Sequence, residues 1–261
     1  MGKKDMYYNK AKQQGYRARS AYKLQQLDET TGLLGEGNTV VDLGAAPGGW
    51  LQVAAERVGP TGTVVGVDRQ NISDLDDPEA TVEYIRGDIT EERTIELIRE
   101  TLGVEDGETP VDVVVSDMAP NMSGEYDLDH ARSVHLARQA FELATEVLDA
   151  GGDLAVKVFD GRDLTTLEAD IDEEFEYVRQ VRPDASRDSS SELYLVAKNR
   201  LTGPVRPGDE LTVEIEDVGD EGDGIAKVDG FTVFVSGASE GETVDVVVDE
   251  VKPRFAFADP Q

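Results

Sequence analysis

The order of apolar and polar positions divides the chain into two unlike regions. Through residue 200, short branched apolar runs recur without strict alternation: "TVVDL" (39–43), "GTVVGVD" (62–68), "TVEYIRGD" (81–88), "VDVVVSD" (111–117) and "DLAVKVF" (153–159). Such runs suit strands buried on both faces. Between them lie stretches with helical spacing, "GGWLQVAAERV", "ERTIELIRETL", "LDHARSVHLARQAFELATEVLDAGG" and "RDLTTLEADIDEE". In the third, Val134, Ala137, Phe141, Ala144 and Leu148 form an apolar stripe that Gly151 and Gly152 are expected to end. Alternating strands and helices predict βαβ units on a mostly parallel sheet, an α/β, doubly wound Rossmann-like fold. Two last strands, about 175–182 and 192–198, are joined by a polar linker too short for a crossover helix. They are therefore expected to pair antiparallel at the end of the sheet.

The pattern changes at "NRLTGPVRPGDEL". Beyond it come short alternating strands, "ELTVEIEDV", "GIAKVDG", "FTVFVSG" and "ETVDVVVDEVKPRFAFA", joined by glycine-rich turns. A single flat sheet of this size would leave its edges bare, so a small closed all-β barrel is expected over 203–258. Residues 31–200 form the parallel-sheet domain. Residues 1–30 are a basic helical segment belonging to the same functional unit.

Charge sharpens this division. The chain has 261 residues, 55 acidic against 25 basic, and no cysteine, which excludes disulfides and thiolate chemistry. No secretory core or long apolar run occurs, so a cytoplasmic protein is expected. A folded chain of net charge −30 suits a cytoplasm of very high salt, where self-repulsion is screened; a halophilic source is expected. Residues 1–27 reverse the sign, with seven basic residues (Lys3, Lys4, Lys10, Lys12, Arg17, Arg19, Lys23) against Asp5 alone. In "GYRARSAYKLQQLDE" Ala18, Ala21, Leu24 and Leu27 keep helical spacing, so the segment is read as an ordered basic helix facing a polyanion.

In open parallel sheets ligands bind beyond the carboxyl ends of the strands. Asp42 ends the first strand and "GAAPGG" follows it. Gly44 permits a tight turn, and Gly48 and Gly49 are expected to let backbone approach a ligand. The spacing is neither GxGxxG nor GxxxxGK. The next strands end in Asp68, suited to ribose hydroxyls, and Asp88, suited to an exocyclic amine. Carboxylates without a phosphate-grasping cation favour a cationic adenosine cofactor, S-adenosyl-L-methionine, over a dinucleotide. Lys157 in an apolar central strand needs a partner, and Asp117 at the end of the neighbouring strand supplies one. The antiparallel strand brings Glu192 to the same rim, and Lys23 is the fourth member of this Lys–Asp–Lys–Glu cluster.

On "RSAYKL", "DLGAAPGGW", "GVD", "GD", "SDMAPNMSG", "VKVF" and "SSELYLVA", the chain resembles the FtsJ-like ribosomal RNA 2′-O-methyltransferases over residues 1 to about 200. The resemblance implies a catalytic tetrad of Lys23, Asp117, Lys157 and Glu192. It implies cofactor contacts at Gly44, Pro47, Gly48, Gly49, Trp50, Asp68, Asp88 and Asp117. It also implies 2′-O-methylation of a uridine in large-subunit rRNA. Residues 203–258, with "GDGIAKVDGFTVFVSGASEGETVDVVV", look like a TRAM domain, an RNA-binding barrel. Here, residues 203–261 hold four basic residues against fifteen acids. RNA contact would then rest on stacking by Phe231, Phe234, Phe255 or Phe257, although most of these are expected to fill the barrel.

The reaction implied is in-line methyl transfer to a ribose oxygen, with Lys157 closest to the hydroxyl and Asp117 orienting it. Asp117 and Glu192 favour the charged amine, whereas Lys23 and a sulfonium oppose it. Glu192 and Lys23 place substrate or tune the site. Lys10, Lys12, Arg17, Arg19 and Lys23 are assigned to the RNA, with Tyr7, Tyr8 or Tyr16 stacking on bases. No metal is expected, because His130 and His135 lack ligand spacing. Expected partners are large-subunit rRNA in an assembling subunit, without DNA or membrane, and the protein is expected to be a monomer. A 2′-O-methyltransferase for tRNA or an mRNA cap, a small-molecule methyltransferase and a non-catalytic RNA-binding protein are the alternatives.

Overall fold

Branched apolar residues that cannot face water on either side force helices onto both faces of one sheet. The computed structural model describes residues 3–103, 110–187, 190–219 and 222–261, with the side chains of Lys3, Lys4 and Asp5 outside the described residues. The strands are β1 (Thr39–Leu43), β2 (Thr63–Asp68), β3 (Thr81–Arg86), β4 (Val111–Ser116), β5 (Leu148–Phe159), β6 (Phe175–Val181) and β7 (Glu192–Arg200). They form a sheet in the order β3-β2-β1-β4-β5-β7-β6. β1 to β5 are parallel, and β7 runs antiparallel to both β5 and β6. Strand order reverses between β1 and β4, which opens a crevice at their carboxyl ends.

Side-chain alternation assigns each face its helices. Val41, Leu43, Val114, Val156 and Val158 pack with α5 (Tyr126–Val147) and α6 (Leu164–Asp172). Val40, Val113, Val115, Ala155 and Tyr194 pack with α2 (Ala21–Thr31) and α3 (Gly49–Val58). α4 (Glu92–Leu102) contributes Ile98 to the first of these clusters. The basic segment is two helices rather than one: α1 (Lys3–Gln14) and α2, with Arg17 and Arg19 in the joint. Ala21, Leu24 and Leu27 are the buried stripe of α2.

One helix boundary differs from the expectation. α5 ends at Val147 and Leu148 is already extended, with φ −72° and ψ 132°. Gly151 and Gly152 lie inside β5, where the register to β4 shifts between Val111 and Val113. They accommodate that irregularity and do not cap the helix: a Cβ on Gly152 would meet the Asp149 and Asp112 carbonyls at 3.0 and 3.1 Å.

The remaining strands are β8 (Glu210–Val218), β9 (Gly224–Val228), β10 (Phe231–Val235), β11 (Thr243–Val251) and β12 (Phe255–Pro260). They close into a barrel in the order β10-β12-β11-β8-β9. Its core is small and aliphatic: Val213, Ile215, Ala226, Val233, Val235, Val246, Val248, Ala256 and Ala258. The expectation that most phenylalanines fill the barrel is corrected here. Only Phe231 packs against the core. Alternation sends Phe234, Phe255 and Phe257 outward, where their ring centroids lie 5.4–5.7 Å apart and Phe257 is 39 % exposed.

The barrel is bound to the amino-terminal rim of the sheet. Lys252 Nζ lies 2.6 Å from Glu176 Oε1, and Arg254 Nη2 lies 2.8 Å from Asp149 Oδ2. Arg206 Nη2 lies 3.8 Å from Glu174 Oε2. Three of the four cations in 203–261 therefore face carboxylates at the starts of β5 and β6. Replacing Lys252 and Arg254 by glutamate sets like charges against Glu176 and Asp149, so the barrel should undock while both folds persist. Small-angle scattering of the double variant should show an expanded particle with unchanged circular dichroism.

Candidate active site

Two lysines and two acidic residues from four distant segments meet at the carboxyl rim. In β5, Lys157 alternates with Val156 and Val158 and so faces α2; Tyr194 of β7 is its register partner, and Phe159 pairs with Glu192. Lys157 Nζ donates to Asp117 Oδ1 at 2.8 Å and to the Asp117 carbonyl. Lys23 Nζ, on α2, lies 2.8 Å from Glu192 Oε1 and 3.6 Å from Asp117 Oδ1. Lys23 and Lys157 are 6 % and 7 % exposed. Burial pushes the Asp117 carboxyl up, but the Lys157 and Lys23 ammoniums, with hydrogen bonds from Lys157 and Tyr194, pull it below its ordinary value. Asp117 is thus held ionised in a low-dielectric setting.

Tyr194 is absent from the sequence reading. Its buried hydroxyl donates to Asp117 Oδ1 at 2.6 Å, and its ring lies 5.8 Å from Lys23 Nζ. Burial, then the charges of Asp117 and Glu192, push this phenol well above its usual value. The available signal was parity, since residue 194 shares a strand face with Glu192. The loop after β4 is fixed by Asp129, which accepts from Ser123 N and Oγ at 2.8 Å and from Gly124 N at 3.0 Å. Sequence reasoning also passed over this residue.

Beside the cluster, Asp42 is fully buried and neither of its carboxylate oxygens has a hydrogen-bond partner. Asp68 accepts from Ala46 N at 3.0 Å and Gln70 N at 2.7 Å, which leaves each oxygen further acceptor capacity. Asp88 lies two residues beyond β3, accepts from Thr90 N at 3.1 Å and faces Arg69 Nε at 3.4 Å. Gly44 has φ +80°, and a Cβ there would strike the Met118 side chain at 2.6 Å.

Several other residues assigned from sequence sit differently. What approaches Gly48 and Gly49 is the α1–α2 joint, because a Cβ on either would come within 3.0 Å of Arg17 Nη1 or Ala18 Cβ. The Trp50 indole is in the core, donating to the Ser20 carbonyl at 2.8 Å and lying 5.7 Å from the Tyr194 ring. A ligand at the rim would meet Trp50 only through its backbone. The Pro47 carbonyl faces Arg17 Nη1 at 3.4 Å. Arg19 donates to the Ala185 carbonyl at 3.1 Å. Lys12 is exposed on α1, and Lys10 Nζ lies 4.5 Å from the Tyr22 ring centroid. Tyr7 and Tyr16 pack on Tyr22 at 5.4 and 5.7 Å, and burial with a hydrogen bond to Glu56 pushes Tyr16 up to about 12. Tyr8 is 62 % exposed. Among the described residues, no group of three or more His, Asp or Glu side chains could hold a metal ion, and no helix is long and apolar enough to cross a membrane.

Burial, then the charges of Asp117 and Asp68, push the Asp42 carboxyl well above its ordinary value. The native state therefore holds this proton more tightly than the unfolded chain. The associated stability is present below the unfolded-state value and is lost as pH rises through the raised one. Asp42→Asn should therefore stabilise the ligand-free protein near neutral pH by roughly 1–3 kcal/mol. The gain should shrink on acidification. Thermal melts across pH check this, and an unchanged or lowered midpoint at neutral pH would refute it.

The FtsJ-like methyltransferase family model matches residues 16–200, and the TRAM domain model matches residues 204–260. The chain is 74 % identical to Ribosomal RNA large subunit methyltransferase E of Haloarcula marismortui, covering 100 % of this chain and 99 % of that protein. It is 64 % identical to the protein of the same name from Natronomonas pharaonis, covering 99 % of each. A crystal structure described as a ribosomal RNA methyltransferase from Plasmodium falciparum aligns with TM-score 0.61 at 28 % identity, over 71 % of this chain and 98 % of that one. A family match across the whole parallel-sheet domain and near full-length identity to such relatives lead to one conclusion: the chain belongs to the FtsJ-like methyltransferase family and carries a TRAM domain after it.

Proposed function

We propose that this protein transfers the methyl group of S-adenosylmethionine to the 2′-oxygen of a uridine ribose in large-subunit rRNA. The observation that carries this reading is the meeting of Lys23, Asp117, Lys157 and Glu192 at the carboxyl rim, beside the unpartnered carboxylate of Asp42. The donor set fits a cationic adenosine cofactor. Asp42 gains from a nearby positive charge, Asp68 retains acceptors for ribose hydroxyls, and Asp88 offers one to an exocyclic amine. Arg17, beside the glycine loop, points at backbone carbonyls and offers no phosphate clamp. The rRNA target is supported by the names of the relatives, Ribosomal RNA large subunit methyltransferase E.

When bound, S-adenosylmethionine supplies an electrophilic methyl group on a sulfonium. The protein's part is to place and polarise the ribose. Asp117 takes two of the three Lys157 protons through its carboxylate and carbonyl, which leaves one donor for the 2′-oxygen. That donor would stabilise the negative charge that builds on the 2′-oxygen as it gains the methyl group and passes its hydroxyl proton to solvent water. Tyr194 and Lys23 converge on the same Asp117 Oδ1, so the carboxylate that orients the amine is itself held in place. Glu192 holds Lys23 at the mouth of the site.

RNA contact is assigned to the sign-reversed amino-terminal segment, with Lys10, Lys12, Arg19 and exposed Tyr8 available to phosphates and bases. The outward Phe234, Phe255 and Phe257 supply a stacking face on the barrel. Stacking is sequence-tolerant and persists where salt screens charge.

Lys157→Ala should lower methyl transfer by at least ~10²-fold while leaving S-adenosylhomocysteine affinity near that of the parent. Equal loss of both would make Lys157 a structural residue. Maps of 2′-O-methylation in rRNA and tRNA, from cells with and without the protein, test the substrate. A site lost from tRNA with rRNA unchanged would overturn the rRNA reading. Tyr194→Phe should reduce the transfer rate by about tenfold, consistent with one lost hydrogen bond to a charged partner. Single-turnover kinetics check it.

A further inference from the structure

Arg17 lies in the joint between α1 and α2, where the charge pattern assigns it to RNA phosphates. Its half-buried side chain instead lies against the protein's own loops. Nη1 donates to the Ser73 carbonyl and faces the Pro47 carbonyl at 3.4 Å, while Nη2 donates to the Asp74 carbonyl. The Arg17 backbone N–H donates to Gln52 Oε1 at 2.8 Å, and Gln52 Nε2 donates back to the Gly15 carbonyl at 3.0 Å. Gly48, at φ +105°, and Gly49 leave the room this approach needs. Leu75, next to Asp74, donates its N–H to the Tyr84 hydroxyl at 2.7 Å, which anchors that loop to β3.

These contacts join three pieces that are distant in the chain. One is the β1–α3 loop with Pro47 and Gly48. The second is the β2–β3 loop with Ser73 and Asp74, which follows Asp68. The third is the joint that leads directly into α2 and Lys23. A guanidinium suits this junction, because its donors form a rigid fork and it accepts nothing. The ammonium of lysine is a point charge and cannot hold the same fork. Backbone carbonyls also take three of its five N–H donors, on both Nη1 and Nη2.

We propose that Arg17 is a positioning residue that locks the two cofactor loops onto the joint preceding Lys23, and is not one of the RNA phosphate contacts. The inference rests on the reading of the carboxyl rim as an S-adenosylmethionine site. It separates two roles that net charge alone merges. Lys10, Lys12 and Arg19, which spends a single donor on the Ala185 carbonyl, are left as the phosphate-facing cations of the described segment.

The test uses the full chain and three measurements on Arg17→Ala and Arg17→Lys. Calorimetric titration with S-adenosylhomocysteine should show at least a tenfold loss of affinity in both variants. Amide hydrogen exchange of the ligand-free protein should speed up in residues 44–49 and 69–76 of both. Binding of poly(U) at several KCl concentrations should keep the parental slope of log K against log salt. Lys12→Ala, by contrast, should flatten that slope by about 0.7, the increment of one single-strand phosphate contact. Parental cofactor affinity in Arg17→Ala, or a slope flattened by about 0.7, would overturn the assignment. Full affinity in Arg17→Lys would overturn the role of the fork. A parent that binds no S-adenosylhomocysteine would overturn the cofactor reading instead, and loop exchange would still decide whether Arg17 locks the loops.

Discussion

A lysine in the middle of a sheet cannot be left without a counter-charge. Lys157 is held among apolar strands, and an unpaired ammonium there would cost several kcal/mol. Asp117 meets this requirement only because β4 lies beside β5 and ends at the same level. The Asp117 carboxylate in turn draws in Lys23 and the Tyr194 hydroxyl, and Glu192 balances Lys23. Each member is stable because the others are charged and close. Sheet order, the antiparallel direction of β7 and the seat of α2 all serve this cluster. Beside it Asp42 stands without a hydrogen-bond partner, and burial with the charges of Asp117 and Asp68 disfavours its ionised form in the ligand-free protein.

The two rims of the sheet have different tasks. The carboxyl rim carries the polar cluster, while the amino rim carries the barrel through Glu174, Glu176 and Asp149. Asp149 and Lys157 lie on one strand, eight residues apart, which corresponds to roughly 26 Å at 3.3 Å per residue. The barrel therefore docks at the opposite end of the sheet from the rim that carries the polar cluster. A cleft of about 570 Å³ at the seam, lined by Asp172, Glu173, Glu176, Asp249, Glu250 and Arg206, also lies at the amino rim.

The amino-terminal segment combines two functions within a few residues. Its outer cations face solvent, whereas Arg17, Ala18 and Ser20 press onto the glycine loop and the start of α3. A motif rich in glycine is often read as room for a ligand. Here part of that room is filled by the chain itself, and Arg17 joins the segment leading to Lys23 to the loops that hold Pro47 and follow Asp68.

Period and composition were enough to read the parallel sheet, the antiparallel final strand and the barrel, because burial on both faces or on alternate faces leaves a direct imprint on residue order. Asp117, Lys157 and Glu192 were also legible, since a charge at a strand end or in an apolar run is conspicuous, and Lys23 stood out on the basic amino-terminal helix. Other features depended on contacts between segments far apart, which no local pattern encodes. Tyr194 became part of the site only through its register with Lys157, and Trp50 became core only once α2 lay over it. Phe234, Phe255 and Phe257 faced outward because β10 and β12 place alanine and valine inside. Arg17 shows the limit most plainly: its charge could be counted in the sequence, but the carbonyls that claim it come together only when two loops close over the rim.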